Sequence, residues 1–286
     1  MNKNNKLISP GHNACAGCGQ LSAVQSVMRA MDKNTIIANA TGCLEVTTTA
    51  FPQSSWGLPW IHSVFGNASS VASGIKAALN KKGDKKTKVV VFGGDGGTYD
   101  IGFGQISGMS ERGENILYIC FDTEAYSNTG IQASGATPYG ASTTTSPSGR
   151  ESIGSTQRKK DLLQIANAHG LKYAAQSTSG FPDDITRKVK KALETPGPSY
   201  IQILTPCIPG WKINYDEAVM FGKLAVQTGL YPLLEYENGK LISSVFSNKP
   251  VEEYLLKQGR FKHLKNSDIK DIQKMANLNI EKYKIN

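Results

Sequence analysis

The chain contains no apolar run of the roughly 18 to 20 residues that a membrane-spanning helix needs. Its N-terminal segment, MNKNNKLISPGHNAC, lacks the apolar core of a secretory signal peptide. We therefore expect a cytoplasmic protein that is not inserted in a membrane. The cysteines number five, an odd count that, without a secretion signal, argues against a disulfide framework and for free thiols, metal ligands or catalysis.

Acidic residues are also comparatively few, with 23 Asp and Glu against 32 Lys and Arg and a formal net charge of +9. The lysines are spread along the chain and form no basic stripe interleaved with aromatic residues, so nucleic-acid binding has little support. We interpret the charge as a lysine-rich surface, to which an acidic protein partner could be attracted.

Short apolar runs and longer patterned segments alternate along the 286 residues. The short runs predict buried strands at residues 35–40, 88–92, 116–121, 172–176 and 199–204. The longer segments predict helices at residues 19–31, 67–80, 101–112, 157–169 and 182–193. This alternation favours an α/β fold with a doubly wound, mostly parallel sheet, in which ligands bind at the carboxyl ends of the strands.

Two segments do not follow the alternation. Residues 124–156 are rich in Gly, Ser and Thr without periodicity, and so long a loop in a compact domain is usually functional or disordered. From residue 230 the pattern changes to a hairpin with a turn at 237–239, followed by lysine-rich helical stretches. We therefore predict a main domain of residues 1–229 and a C-terminal extension, residues 230–286, that packs on this domain or on a partner.

The segment GGDGG follows the predicted strand 88–92 directly. Glycine allows the backbone to approach a phosphate closely, and Asp95 offers a hard oxygen ligand for Mg²⁺. Taken alone, the segment is equally well explained as an ordinary glycine turn. The second part of the pattern is Asp122-Thr123, which follows Gly96 after 25 intervening residues (97–121).

This spacing resembles the fingerprint of thiamine-diphosphate enzymes, in which GDG is followed about 25 residues later by a polar pair. Most members of that superfamily have Asn-Asn where this chain has Asp122-Thr123. The Thr123 hydroxyl and the Ala125 carbonyl could still bind the metal, because both groups offer oxygen ligands. Asn128 is placed to face the reacting end of the cofactor.

Four cysteines lie in motif-like contexts. Cys15 and Cys18 form a C-x₂-C pair before a predicted helix, a pattern shared by zinc sites, redox thiols and iron–sulfur clusters. Cys43 and Cys207 each follow a predicted strand, at the same edge of the sheet as the diphosphate motif. Four thiolates suit either Zn²⁺ or a [4Fe–4S] cluster, and only the cluster could carry electrons. Cys120, inside the strand ILYICF, is predicted to be a buried core thiol.

Together these segments closely resemble the β subunit of the pyruvate:ferredoxin oxidoreductases, or pyruvate synthases, within the 2-oxoacid:ferredoxin oxidoreductases. The resemblance extends from residue 11 to residue 211 and rests on GHNACAGCG, TGCLEVTT, GGDGGTYDIGFGQISG, DTEAYSNTGIQASGATPYGA and PCIPGW. It implies a [4Fe–4S] cluster on Cys15, Cys18, Cys43 and Cys207, and Mg²⁺ on Asp95, Thr123 and the backbone of Ala125. It also implies thiamine diphosphate held by Gly94, Asp95, Gly96, Gly97 and the segment Thr123, Glu124, Ala125, Tyr126, Ser127 and Asn128, with Asn128 and Cys43 as catalytic residues.

The implied activity is the reversible oxidative decarboxylation of pyruvate with coenzyme A to acetyl-CoA and CO₂, with ferredoxin as electron acceptor, in anaerobic metabolism. No glutamate stands in a recognisable context for activating the aminopyrimidine ring of the cofactor. In the resembled family that glutamate, the coenzyme A site and further clusters belong to other subunits, so we expect a hetero-oligomer. Two alternatives remain: the same chemistry on another 2-oxo acid, such as 2-oxoisovalerate or oxalate, or a non-redox thiamine-diphosphate decarboxylase or synthase with structural zinc.

Overall fold

The computed structural model describes residues 7–50 and 52–285. Residues 1–6 of the predicted main domain, Phe51, and Asn286 of the predicted extension lie outside the described residues. The strands are β1 (Thr35–Ala40), β2 (Trp60–Ser63), β3 (Lys88–Gly94), β4 (Leu117–Asp122), β5 (Tyr173–Thr178), β6 (Ser199–Leu204), β7 (Leu233–Glu237) and β8 (Lys240–Val245). The helices are α1 (Gly19–Met28), α2 (Cys43–Thr48), α3 (Ala68–Lys81), α4 (Phe103–Glu111), α5 (Leu162–Ala168), α6 (Pro182–Glu194), α7 (Ile208–Trp211), α8 (Ala218–Gln227), α9 (Glu252–Leu255) and α10 (Asn266–Lys282), with a π-helical turn at Gly96–Asp100 and a 3₁₀ turn at Gly259–Phe261.

All eight strands belong to one sheet in the order β2-β1-β3-β4-β6-β5-β7-β8. The six strands from β2 to β5 run parallel, whereas β7 pairs antiparallel with β5 and β8 pairs antiparallel with β7. The predicted α/β fold with a doubly wound, mostly parallel sheet is therefore confirmed. The short edge strand β2 was not predicted, and the helix expected at residues 157–169 begins only at Leu162.

The central strands are apolar on both faces because helices cover both sides of the sheet. In β3, Val90 and Phe92 belong to the core that α1 and α6 share, while Val89 and Val91 face the core under α3 and α4. Burying one such side chain contributes about 1.5–3 kcal/mol. This explains why a continuous run of β-branched residues, and not an alternating one, predicted the strand.

The C-terminal part of the chain joins the same structure through a third apolar cluster. Trp211, Phe221, Tyr254 and Phe261 belong to this cluster, together with Ile272 of α10. The predicted hairpin is present as β7 and β8, and it extends the central sheet at its antiparallel edge. Among residues 7–50 and 52–285, no helix is both long and apolar enough to cross a membrane.

Gly180 and Gly222 bring the turn after β5 into close contact with α8. A Cβ atom at Gly180 would lie 2.6 Å from the backbone nitrogen of Lys223, and one at Gly222 would lie 2.7 Å from the nitrogen of Gly180. We predict that Gly180→Ala lowers the free energy of unfolding by about 1–3 kcal/mol, because two backbones must move apart. Urea denaturation of the isolated chain measures this change.

Gly74, exposed in α3, is the matched control because a Cβ atom there meets nothing within 4 Å. Gly74→Ala should leave stability unchanged or raise it by up to about 1 kcal/mol, since alanine restricts the unfolded chain. Equal effects of the two substitutions would contradict the close approach of α8 to this turn.

Candidate cofactor site

A cavity of about 320 Å³ opens at the carboxyl ends of β1, β3 and β4. From β1 the chain continues to β2 on one side, and from β3 it continues to β4 on the other, so β1 and β3 flank a switch point in the sheet order. Ligands of open α/β sheets bind in the crevice at such a point. The walls of the cavity are formed by Gln20, Thr41, Gly42, Cys43, Phe65, Gly94, Asp95, Gly96, Gly97, Phe121, Thr123, Ala125, Tyr126, Ser127, Asn128 and Thr129.

Most residues predicted to bind the cofactor thus meet at one cavity, and Glu124 is the exception. The sequence reasoning also missed several wall residues. Thr41 and Gly42 directly precede Cys43 and could have been inferred from that neighbourhood. Phe65 gave no such signal, because it reaches the cavity from the loop that follows the unpredicted strand β2.

Gly94, the last residue of β3, and Gly96, just after the strand, have different roles. A Cβ atom at Gly96 would lie 2.1 Å from Cε1 of Tyr126. Only glycine at this position therefore lets the loop after β4 pack so closely on the loop after β3. At Gly94, on the cavity wall, a Cβ atom would meet nothing within 4 Å. The chain then forms the π-helical turn Gly96–Asp100, a distortion that occurs frequently at functional sites.

Asp95 is a buried carboxylate that has only neutral hydrogen-bond donors around it. Its Oδ1 accepts from the Thr123 backbone nitrogen at 3.2 Å, and its Oδ2 accepts from the Ser134 hydroxyl at 2.5 Å. Burial, and then the nearby charge of Asp122, raises the pKa of Asp95 to about 7. No lysine, arginine or histidine of the described residues forms an ion pair with it.

The three oxygens predicted to bind Mg²⁺ lie together. Thr123 Oγ1 is 2.9 Å from Asp95 Oδ1 and 3.1 Å from the carbonyl oxygen of Ala125. A carboxylate, a hydroxyl and a carbonyl are hard oxygen ligands of the kind Mg²⁺ prefers. The donor set and the uncompensated charge of Asp95 therefore fit a divalent cation.

Glu124, predicted to be a cofactor-binding residue, is not among the residues that line the cavity. It is buried and adopts a left-handed backbone conformation with φ 62°, which costs a residue with a Cβ atom about 1–2 kcal/mol. Its carboxylate is turned away and lies 2.8 Å from Lys159 Nζ and 2.7 Å from Arg260 Nη2. The Glu124 carboxylate thus forms two ion pairs instead of lining the cavity, one with half-buried Lys159 and one with buried Arg260.

The four motif cysteines are near neighbours. Cys15 is exposed, Cys18, Cys43 and Cys207 are half-buried, and the pKa of the Cys43 thiol is raised to about 11 by burial and further by the proximity of the other three. The turn that carries Cys15 and Cys18 packs tightly on the chain around Cys207. A Cβ atom at Gly19 would lie 2.8 Å from the carbonyl oxygen of Pro206.

The side chains of the described motif cysteines are not gathered around one point. In tetrahedral zinc sites the sulfurs are about 3.8 Å apart, because Zn–S bonds are about 2.3 Å long. Within the described part of the chain, no three His, Cys, Asp or Glu side chains converge as a single ion would require. Cys120 lies fully buried in β4, which confirms its predicted place in the core.

Comparison with known proteins agrees with this geometry. Residues 40–203 match the family model of the C-terminal TPP-binding domain of thiamine pyrophosphate enzymes. The chain is 50% identical over 278 residues to pyruvate synthase subunit PorB of Methanocaldococcus jannaschii, covering 94% of this chain and 93% of that protein. It is 42% identical over 273 residues to ketoisovalerate oxidoreductase subunit VorB of Pyrococcus abyssi, covering 92% and 88% of the two chains.

Among solved structures, the chain is similar to a 2-oxoglutarate:ferredoxin oxidoreductase from Magnetococcus marinus. The TM-score is 0.61 at 27% identity, and the match covers 72% of this chain and 67% of that one. The fold and the cavity are accordingly those of a thiamine-pyrophosphate-binding enzyme subunit. More closely, the chain belongs to the family of 2-oxoacid:ferredoxin oxidoreductase subunits that includes PorB of pyruvate synthase.

Two substitutions in the first glycine loop should separate packing from ligand binding. Gly96→Ala must displace the ring of Tyr126, so we expect the free energy of unfolding to fall by about 1–3 kcal/mol. Gly94→Ala adds a methyl group at the cavity wall and contacts no protein atom. It should leave the stability of the chain unchanged while weakening the binding of thiamine diphosphate.

Thermal unfolding of the apo chain and calorimetric titration of the assembled complex with thiamine diphosphate measure the two effects. A Gly94→Ala variant that binds the cofactor as tightly as the wild type would show that this wall does not contact it. A fully stable Gly96→Ala variant would contradict the tight packing of the two loops.

Proposed function

We propose that this chain is the subunit of pyruvate:ferredoxin oxidoreductase that binds thiamine diphosphate, Mg²⁺ and one [4Fe–4S] cluster. The observation that carries the proposal is the meeting of two sites at one cavity. The oxygens of Asp95, Thr123 and Ala125 converge at its wall, and the same wall contains Cys43, whose thiol neighbours the other motif cysteines. The higher identity to PorB than to VorB favours pyruvate over 2-oxoisovalerate.

In the proposed reaction, pyruvate and coenzyme A give acetyl-CoA, CO₂, one proton and two electrons, and ferredoxin takes the electrons. Thiamine diphosphate, when bound, supplies an electron sink for the cleavage of the carboxylate, and a cluster accepts electrons singly. In this assignment Asp95, Thr123 and Ala125 bind the metal. Within the stretch from Gly94 to Gly97, the backbone at Gly94 leaves room for the diphosphate, because a Cβ atom there would meet nothing within 4 Å.

The other end of the cavity is assigned to the substrate. Asn128 is exposed at the cavity wall, where its amide can donate a hydrogen bond to the substrate. Cys43 belongs both to the wall and to the set of four thiols, so electrons would have only a short distance to cross. Phe65 and Phe121 contribute apolar surface to the cavity wall.

The cavity wall contains no glutamate among the described residues, which supports our proposal that the group activating the aminopyrimidine ring comes from another subunit. Five apolar side chains in the segments around the cavity residues are exposed, namely Val46, Ile61, Val64, Phe65 and Ile101, and we infer that they form one apolar patch. Phe65 connects patch and cavity, and a Cβ atom at Gly66 would lie 3.1 Å from Ile101. Such a patch is typical of a protein interface. We assign it to the partner subunit that supplies the glutamate, with the coenzyme A site and further clusters also outside this chain, in a cytoplasmic complex of anaerobic metabolism.

An EPR experiment on the native complex, purified without oxygen, tests the reaction. Adding pyruvate with coenzyme A should produce the signal of reduced [4Fe–4S], and 2-oxoisovalerate or oxalate should produce much less. A signal with 2-oxoisovalerate but none with pyruvate would keep the chemistry and change the substrate. A complex that decarboxylates pyruvate without reducing any cluster would favour the non-redox thiamine enzyme.

The cluster ligands are tested on the chain itself after anaerobic reconstitution with iron and sulfide. The wild-type chain should bind about four irons, as one cubane requires. Cys207→Ser should lose most of this iron, because a cubane needs a ligand at each iron atom. Cys120→Ser is the control, since that thiol is buried in β4, and it should retain the iron. Full iron content in Cys207→Ser, or zinc bound in preference to iron, would overturn the assignment.

A further inference from the structure

The residue between two of the proposed metal ligands has an unfavourable backbone conformation. Glu124 stands between Thr123 and Ala125 with φ 62°, a region that favours glycine. This conformation turns the chain so that the Ala125 carbonyl oxygen comes within 3.1 Å of Thr123 Oγ1. A residue with a Cβ atom stays in such a conformation only where its surroundings enforce it.

Half-buried Lys159 and buried Arg260 supply that enforcement. Lys159 Nζ lies 2.8 Å from Glu124 Oε1 and 2.5 Å from Asp122 Oδ2, while Arg260 Nη2 lies 2.7 Å from Glu124 Oε2. The Thr137 hydroxyl also donates to the Glu124 carbonyl oxygen at 2.8 Å. Burial alone would raise the pKa of Glu124, but the charges of Lys159 and Arg260 hold it below its ordinary value. Both carboxylate oxygens are therefore fixed in direction.

Arg260 also contacts Trp211, which bonds to the loop after β4. Its guanidinium lies 3.7 Å from the centre of the Trp211 ring, and Trp211 Nε1 donates to the Thr123 carbonyl oxygen at 3.0 Å. Arg260 itself is positioned by Gln258, whose side-chain oxygen accepts from Arg260 Nε at 2.9 Å, and by Ser142, whose backbone nitrogen donates to the Arg260 carbonyl at 2.9 Å. Arg260 is 3% exposed, so its guanidinium interacts with protein groups and not with solvent.

We propose that Lys159, Arg260 and Trp211 are positioning residues that hold Glu124 in its left-handed conformation, so that Thr123 and Ala125 present their oxygens beside Asp95. Through Arg260, the C-terminal extension, residues 230–286, would then set the affinity of the cofactor site for Mg²⁺. The inference rests on the function proposed above for Asp95, Thr123 and Ala125. Without the ion pairs, the backbone of Glu124 relaxes towards negative φ and the Ala125 carbonyl turns away.

The test is a calorimetric titration of the assembled complex with Mg²⁺ at saturating thiamine diphosphate. Arg260→Gln should weaken Mg²⁺ binding by about tenfold or more, the usual effect of removing a group that orients a metal ligand. Arg260→Lys keeps the charge but loses the planar fork and the stacking on Trp211, so its loss should be smaller. This milder variant also keeps the test valid if Arg260→Gln does not fold.

Ile272→Ala is the matched control, because Ile272 is buried in the same C-terminal segment and is not among the ion-pair or hydrogen-bond partners of Glu124. It should lower the melting temperature without a comparable loss of Mg²⁺ affinity. If it weakens Mg²⁺ binding as much as an Arg260 variant of equal melting temperature, Arg260 acts through general stability and the proposal is wrong.

Asp95→Asn separates this proposal from the assignment of the metal site. Wild-type Mg²⁺ affinity in Asp95→Asn would contradict the assignment of the metal site to Asp95. Loss of Mg²⁺ binding in Asp95→Asn, together with wild-type affinity in both Arg260 variants, would keep the metal site and overturn only the positioning role.

Discussion

The parallel pairing of β1, β3 and β4 is the constraint on which the site depends. Parallel strands end at the same edge of a sheet, so the loops that follow these three strands have to meet there. The apolar residues on both faces of β3 make this pairing stable, because each face is covered by helices. The cavity is therefore a consequence of the sheet order, and the loop residues decide what it can bind.

The close contact of the loops adds a second condition. Gly96 lets the ring of Tyr126 lie against the first loop, and this contact brings Thr123 next to Asp95. The turn with Cys15 and Cys18 is pressed against Pro206 in the same way, next to Cys207. In both places a missing side chain, and not an attractive group, determines how near two chemically active segments can come.

The motifs and the strands they follow were predictable from the sequence, because both are local patterns. Thus the strand at 199–204 was predicted at its observed bounds, and Asp95, Thr123 and Cys43 were expected at one sheet edge. The orientation of Glu124 was not predictable, since it depends on Arg260, which is 136 residues distant in the chain. The contact of Ser134 with Asp95 was hidden for another reason: the segment 124–156 has no periodicity from which a position can be inferred.

The distribution of charge around the loop after β4 supports the cation proposed at Asp95. Three carboxylates are buried in this region, at Asp95, Asp122 and Glu124, and half-buried Lys159 and buried Arg260 pair with the last two. A buried charge without a partner is costly, and the cost appears as the raised pKa of Asp95, about 7. Lys159 and Arg260 are engaged with Asp122 and Glu124, and no lysine, arginine or histidine within residues 7–50 and 52–285 forms an ion pair with Asp95. A divalent ion bound by Asp95, Thr123 and Ala125 would relieve that cost, and it would bring the positive charge that a diphosphate needs.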